Sequence, residues 1–327
     1  MTEISRDHPV CTQEYAIYTP PIHEMCETIT RWIEQRQTGG YIYGPSRFGK
    51  SKGIKSFLAK ILNEKFDTEF PLMIWSHPTN SKSEREFWNL LLMASRFEFK
   101  NPIKPKAKME AKFLFKQHLI TLANRVKYNY IVILIDEAQL VLLNEWHWLL
   151  SLQNELDLEG YRLSIISVGS HQISFQPNFF ARTGDAHIVT RFLMHHARFH
   201  GIRSLNELEY ILEGYDEDSE WPENSGVSYT KYFLSDAFDD GFRLTSLAFL
   251  IWNELIEKYN LAFKSFKPKS DQIEIPMNQI ANLIERILKD MGNKSFDHLE
   301  SNLNSQYISN ILVQQNLTSQ IWTTSTD

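Results

Sequence analysis

Gly44-Pro45-Ser46-Arg47-Phe48-Gly49-Lys50-Ser51 is the stretch that decides the fold of this chain. It fits the pattern G-x-x-x-x-G-K-[ST], a glycine-rich loop whose backbone N–H groups surround phosphate groups. The loop follows a short apolar run (41–43) and precedes a segment with apolar residues at helical spacing (54–62). Because strand, loop and helix in this order are the context that the pattern needs, the sequence predicts a phosphate-binding loop.

The residue types of the loop suit a nucleoside triphosphate. Its glycines let the backbone turn tightly, and the helix that begins near Lys50 adds the positive end of its dipole. Lys50 is predicted to reach the β- and γ-phosphates, and the Ser51 hydroxyl to bind Mg²⁺. We therefore expect ATP and Mg²⁺ as cofactors, with residues 44–51 around the phosphates. The alternative is an ordinary glycine turn before a helix.

A second stretch, 131–138, carries two carboxylates near its end. Five consecutive aliphatic residues predict a strand that is buried on both faces, at the centre of a parallel sheet. Asp136 and Glu137 follow this strand, at the edge where open α/β sheets bind their ligands. We expect Asp136 to hold Mg²⁺ and Glu137 to polarise the attacking water. The alternative is a solvated acidic turn, which the phosphate-binding loop makes less favoured.

A third strand candidate, 163–168, is followed by small polar residues. A side chain at its tip could hydrogen-bond the γ-phosphate or the attacking water. Ser170 is the first choice for this role and His171 the second, although strand tips often carry Gly-Ser for the turn alone.

Strand and helix patterns alternate up to residue 202, which predicts an α/β fold with a parallel sheet flanked by helices. Helical patterns dominate afterwards and indicate a small helical lid with an acidic outer loop, 216–223. The predicted domains are an N-terminal arm (1–20), a core (21–202), the lid (203–292) and a polar C-terminal tail (293–327).

The composition is that of an ordinary globular protein, with 43% hydrophobic and 23% charged residues among 327. No apolar run is long enough to cross a bilayer and the polar start lacks the apolar centre of a signal peptide, so we expect a cytoplasmic protein without membrane contact. Two cysteines exclude a disulfide framework and a cysteine-based zinc site.

The net charge of −6 hides two opposite runs. Residues 100–116 contain six lysines and one acid, whereas residues 207–223 contain eight acids and no base. A basic run is often only a solvated face, but it can also neutralise the phosphates of a nucleic acid.

The order of these parts resembles that of the AAA+ ATPases. The matching parts are the loop 44–51, the pair Asp136-Glu137, the polar tip at Ser170, Arg191-Phe192 and Gly241 to Arg243. Within roughly residues 20–290 the chain looks like the transposition regulators of the TnsC, TniB and MuB group, especially the compact TnsC proteins of CRISPR-associated transposons. The resemblance implies a P-loop AAA+ core with a helical lid.

The resemblance also implies roles for single residues. Arg191 precedes the apparent last core strand (197–202), where these proteins carry an arginine finger that reaches into the site of a neighbouring subunit; Arg182 competes for the role. Arg243 matches the second sensor, which contacts the γ-phosphate. For each arginine, a surface ion pair is the simpler alternative.

The function implied is that of an ATP-dependent, DNA-binding regulator that oligomerises on duplex DNA and couples target selection to transposase recruitment. Its partners would be duplex DNA, copies of itself, a transposase and a TniQ-like target-selection protein. The residues expected to follow the DNA backbone are Lys82, Arg85, Lys104, Lys106 and Lys108. The alternatives are a loader or remodelling ATPase and an NTPase signalling scaffold, both acting on a protein partner.

Overall fold

A computed structural model describes residues 4–78, 83–95, 104–263 and 273–315. The chain divides into two compact units. The first, which we call the sheet unit, comprises the described parts of residues 24–44 and 50–199. The second, the helical unit, comprises the described parts of residues 1–23, 45–49 and 200–327. Among the described residues, every helix is too short or too polar to cross a membrane.

The sheet unit contains five parallel strands in the order β2-β3-β4-β1-β5. The strands are β1 (Gly39–Tyr43), β2 (Leu72–Ser76), β3 (Tyr130–Asp136), β4 (Arg162–Gly169) and β5 (His196–Arg198). The prediction of a parallel α/β sheet flanked by helices is confirmed. The central strand is β4, however, whereas the sequence predicted β3 for that position.

Helices flank the sheet. They are α2 (Pro20–Glu34), α3 (Lys50–Gly53), α4 (Ala59–Phe66), α5 (Glu84–Ala94), α6 (Lys108–Arg125), α7 (Leu143–Leu158), α8 (Gln176–Thr183) and α9 (Ala186–Phe192). A π-helical turn, Ile54–Leu58, joins α3 to α4. All residues of β3 are buried, and Ile133 and Ile135 share a core cluster with Trp88, Phe115 and Trp146. A strand buried on both faces reads as a continuous apolar run, which is why β3 was found from sequence.

The last strand is shorter than its apolar pattern predicted. Strand β5 ends at Arg198, and Ile202 instead forms an antiparallel bridge with Ile275 inside the helical unit. Gly201 allows this close approach, because a Cβ atom there would lie 2.7 Å from the Ile275 carbonyl oxygen.

The helical unit has its own core, built from helices of 4 to 16 residues. They are α1 (Pro9–Thr12), α10 (Leu205–Glu213), α11 (Tyr229–Phe233), α12 (Ser235–Asp239), α13 (Ala248–Phe263), α14 (Met277–Asp290), α15 (Phe296–Asn302) and α16 (Ser305–Gln314). Val10, Ile17, Leu299 and Ile308 are buried in this core. The described parts of the segments predicted as arm and tail, 4–20 and 293–315, therefore pack inside the helical unit.

The prediction of an acidic outer loop, 216–223, is wrong for Asp216. Its carboxylate is buried and accepts hydrogen bonds from the Leu244 and Thr245 N–H groups and from the Thr245 hydroxyl, at 2.7–3.0 Å. These bonds satisfy N–H donors at the start of the 3-10 helix Leu244–Leu247. Counting charges along the chain could not separate Asp216 from the exposed acids beside it, since its partners lie about 28 residues away.

His8 lies in an aromatic cage of the helical unit. The rings of Trp221, Tyr229, Tyr232 and Phe233 lie 4.6–5.0 Å from the imidazole, centre to centre. The Val10 N–H donates to His8 Nδ1 at 3.1 Å. Burial lowers the pKa of His8 to about 4, because an apolar cage disfavours the charged imidazolium.

Acidification should therefore destabilise the helical unit through His8. Between pH 6.5 and 4 the unfolded chain binds a proton at His8 that the folded chain does not, so the free energy of unfolding falls as the pH falls. In urea unfolding at about pH 7.5 and about pH 4.5, wild type should lose about 2 kcal/mol more than His8→Asn, which keeps an acceptor for Val10 N–H but does not titrate. Equal losses in the two proteins would contradict the neutral, caged His8.

Candidate nucleotide-binding site

Three strand ends meet at one edge of the sheet. Strand β1 pairs with β4, and β4 pairs with β3, so Tyr43 lies opposite Gly169 and Asp136 opposite Val168. Carboxyl ends of parallel strands share an edge, which is where α/β sheets bind ligands. Segments that are far apart in sequence are thereby brought together, as expected for one site.

The phosphate-binding loop needs glycine at both of its ends. A Cβ atom on Gly44 would lie 2.4 Å from the Phe199 carbonyl oxygen, and Gly49 has a φ of +107°, which other residues rarely adopt. Residues 45–49 belong to the helical unit, where the Asn278 N–H donates to the Arg47 carbonyl oxygen at 3.3 Å and Phe48 is buried.

Lys50, Ser51 and Asp136 form the polar centre of the site. Lys50 is only 8% exposed, and its Nζ donates to the Gly44 carbonyl oxygen at 2.7 Å. The Ser51 hydroxyl donates to Asp136 Oδ1 at 3.1 Å, and Asp136 is 3% exposed. A buried ammonium favours an anionic partner, and a hydroxyl beside a carboxylate offers the oxygen ligands that Mg²⁺ prefers. The residues present therefore fit a phosphate group and a magnesium ion.

Glu137 and Ser170 lie on either side of one side chain that sequence reasoning did not single out. Gln139 donates from Nε2 to Glu137 Oε2 at 2.7 Å and accepts the Ser170 N–H at Oε1 at 2.9 Å. The Ser170 Oγ is buried and, within the described residues, makes no hydrogen bond. Such an atom suits the predicted contact with a phosphate or water, and His171, the second choice, follows it in the chain. Only the position of Gln139, two residues after Glu137, hinted at its part in the site.

The three predicted arginines lie in different surroundings. Arg191, in α9, is half-buried, with Nη1 3.5 Å from Gln153 Oε1. Arg182, in α8, is exposed. Arg243, in the helical unit, donates to the Phe238 and Phe242 carbonyl oxygens at 2.9 and 2.7 Å, and its guanidinium lies 3.5 Å from the centre of the Phe238 ring. The roles of all three stay predictions.

The basic residues expected to follow DNA are partly paired with carboxylates. Lys106 pairs with Glu110 at 3.0 Å and Lys108 with Glu84 at 3.1 Å, whereas Lys104 is exposed. Exposed ion pairs contribute little to stability, so these ammonium groups can exchange one anion for another. Their contact with DNA stays a prediction.

The two remaining residues that were expected to follow DNA are Arg85 and Lys82. Arg85 donates to the Pro105 and Lys106 carbonyl oxygens at 2.8 and 2.9 Å, which ties the start of α5 to the segment before α6. Lys82 lies outside the described residues.

A second group of possible metal ligands lies at the start of α9. His147 Nε2 is 3.0 Å from Asp185 Oδ1, and the donor atoms of His147, Asp185 and His187 all lie within 4.8 Å of one another. The contact between His147 and Asp185 gives this group an ordinary structural explanation.

The strand order, the glycine-rich loop and the carboxylates at the end of β3 are those of the AAA+ fold. Residues 33–176 match the sequence family described as an AAA domain. A comparison with curated proteins finds no match.

A solved structure with a TM-score above 0.5 agrees with this fold. The ORC2 protein of Aeropyrum pernix, solved as ADPNP-ADP complexes, superimposes with a TM-score of 0.53 and 12% identity, over 95% of this chain and 72% of that chain. Cdc6p from Pyrobaculum aerophilum gives 0.44 and 12%, over 94% and 98% of the two chains. The ORC1 protein of A. pernix in complex with DNA gives 0.42 and 11%, over 96% and 88%. At 12% identity, the likeness to the ORC2 protein is one of fold.

Proposed function

We propose that this protein binds ATP with Mg²⁺ and hydrolyses it. The contact between Ser51 and Asp136, beside the buried Lys50, is the observation that carries the proposal. Ser51 and Asp136 would hold the magnesium ion, which when bound neutralises phosphate charge. Lys50 binds the β- and γ-phosphates and Glu137 accepts the proton of the attacking water. Ser170 Oγ orients the γ-phosphate or that water.

The proposal extends to an oligomer on duplex DNA. Support comes from the motif order shared with the TnsC, TniB and MuB group, and from the basic run between β2 and β3. ATP bound between neighbouring subunits would order the assembly on DNA, and hydrolysis, with Arg191 supplied by the neighbour, would loosen it. In this proposal the assembly couples target selection by a TniQ-like protein to transposase recruitment.

Nucleotide-dependent DNA binding is the test of this proposal. With a non-hydrolysable ATP analogue, wild type should sediment with duplex DNA, and Lys50→Ala should not, because it lacks the charge that holds the phosphates. The triple variant of Lys104, Lys106 and Lys108 to alanine should bind more weakly. The slope of log K for DNA against log salt concentration should also be smaller in magnitude, by about one for each DNA phosphate that is no longer neutralised.

Lys116→Ala is the matched control. Lys116 lies on α6, as Lys108 does, but its side chain is only 14% exposed and its ammonium is 2.7 Å from Glu159 Oε1, so it is not free to meet DNA. It should bind DNA like wild type. If the nucleotide causes no assembly on DNA, the DNA part of the proposal is wrong. A protein-remodelling ATPase would then hydrolyse ATP without salt-sensitive DNA binding, and a signalling scaffold would bind a protein partner in a nucleotide-dependent way while hydrolysing little ATP.

A further inference from the structure

The side-chain amide of Gln139 joins the ends of two strands. Its Nε2 donates to the carboxylate of Glu137, directly after β3, at 2.7 Å. Its Oε1 accepts from the Ser170 N–H, directly after β4, at 2.9 Å. Both distances are within the normal range for hydrogen bonds, so one planar amide sets the distance between Glu137 and Ser170.

The surroundings of Gln139 hold this amide in place. Gln139 lies in the 3-10 helix Ala138–Leu140, and its carbonyl oxygen accepts from Gln176 Nε2 at 3.3 Å. Gly169 leaves room for the amide, because a Cβ atom at that position would lie 2.6 Å from Gln139 Oε1. A side chain at residue 169 would therefore displace the amide.

Glu137 needs a partner that orients it. It has a φ of 58°, in the left-handed region that is unusual for residues other than glycine, and its side chain is exposed. An exposed glutamate has several rotamers, and packing selects none of them. Among the described residues, the hydrogen bond from Gln139 restricts the Glu137 carboxylate.

We propose that Gln139 is a positioning residue for the Glu137 base and couples it to Ser170. The inference rests on the proposed hydrolysis of ATP. Gln139 holds the carboxylate in one direction, so that the attacking water meets an aligned acceptor. Any displacement of Ser170 when its hydroxyl binds the γ-phosphate or water is passed through the same amide to Glu137. The base is therefore aligned by the group that contacts the triphosphate.

Two substitutions separate this role from a structural one. Gln139→Met keeps the length of the side chain and removes the amide, whereas Gln139→Glu keeps an acceptor for Ser170 N–H and places a second carboxylate beside Glu137. We expect both to lower kcat for ATP by about 10-fold, the loss of one hydrogen bond to a charged group, with KM for ATP unchanged. The control is Gln172→Met, since Gln172 is an exposed glutamine of the neighbouring segment.

A double-mutant cycle with Glu137→Gln distinguishes an effect of Gln139 on the base from a general effect of Gln139 on the structure. If Gln139 acts through Glu137, Gln139→Met should lower the residual rate of the Glu137→Gln protein no further. A full additional loss in that background, or unchanged kcat in both single variants, would overturn the inference. If Glu137→Gln itself hydrolyses ATP at the wild-type rate, the proposed base is wrong instead, so the two failures are distinguishable. Binding of a fluorescent ATP analogue verifies that each variant is folded.

Discussion

Glu137→Gln is expected to lower kcat for ATP hydrolysis by about 10²–10⁴-fold, the usual contribution of a general base, and to leave the affinity for ATP unchanged. Glutamine has the same shape as glutamate but cannot take a proton from the attacking water. Asp136, Lys50 and Ser51, which are proposed to hold the nucleotide and magnesium, keep their hydrogen bonds in this variant. The variant should therefore bind ATP and remain in the assembled, ATP-bound state.

Steady-state phosphate release measures kcat, and titration with a fluorescent ATP analogue measures affinity. The matched control is Asp157→Asn, which removes an exposed carboxylate of α7 and should leave both quantities unchanged. Normal turnover by Glu137→Gln would contradict the assignment of the base. A loss of nucleotide affinity would instead place Glu137 among the residues that bind the nucleotide in its ground state.

Arg191→Ala is expected to abolish the part of hydrolysis that depends on assembly, because an arginine supplied by a neighbouring subunit is worth about 10³–10⁵-fold in other P-loop enzymes. The Arg191 guanidinium is half-buried and only weakly held, with 3.5 Å between Nη1 and Gln153 Oε1. Its backbone is better anchored, since the Thr38 hydroxyl donates to the Arg191 carbonyl oxygen at 2.8 Å. The side chain can thus turn away without disturbing α9.

Mixing two inactive proteins tests whether Arg191 acts in a neighbour's site. Arg191→Ala subunits keep Glu137, and Glu137→Gln subunits keep Arg191, so a mixed assembly contains some complete sites and should recover part of the activity. Arg182→Ala is the matched variant, because Arg182 is exposed in the preceding helix α8. If Arg182→Ala loses the activity and Arg191→Ala retains it, Arg182 is the finger. Thermal unfolding of each variant distinguishes destabilisation, caused by removing the hydrogen bond to Gln153, from removal of a catalytic charge.

The parallel α/β fold was predictable from sequence because its signals are local. A strand buried on both faces reads as one apolar run, and a phosphate-binding loop is continuous in the chain, so β3 and residues 44–51 could be recognised without tertiary structure. The shortness of β5 could not be recognised, since Ile202, which extends its apolar pattern, packs in the helical unit rather than in the sheet.

Charge counts along the chain could not predict how much unpaired positive charge the basic run presents. Lys108 pairs with Glu84 of α5, and Lys112 and Lys116 both pair with Glu155 of α7. These carboxylates come from other helices, so only the packing of α5, α6 and α7 decides how much positive charge the run presents. Asp216 is the same case with the opposite sign, buried where the sequence predicted exposure.

By itself, the sequence determined the fold class, the glycine-rich loop and the carboxylate pair, because each depends on neighbouring residues. Only the tertiary structure decided that Ser51 lies against Asp136, and that Gln139 joins Glu137 to Ser170. Those contacts follow from the order β3-β4-β1. Strand order is set by which faces the helices bury together, and no local pattern along the chain encodes it.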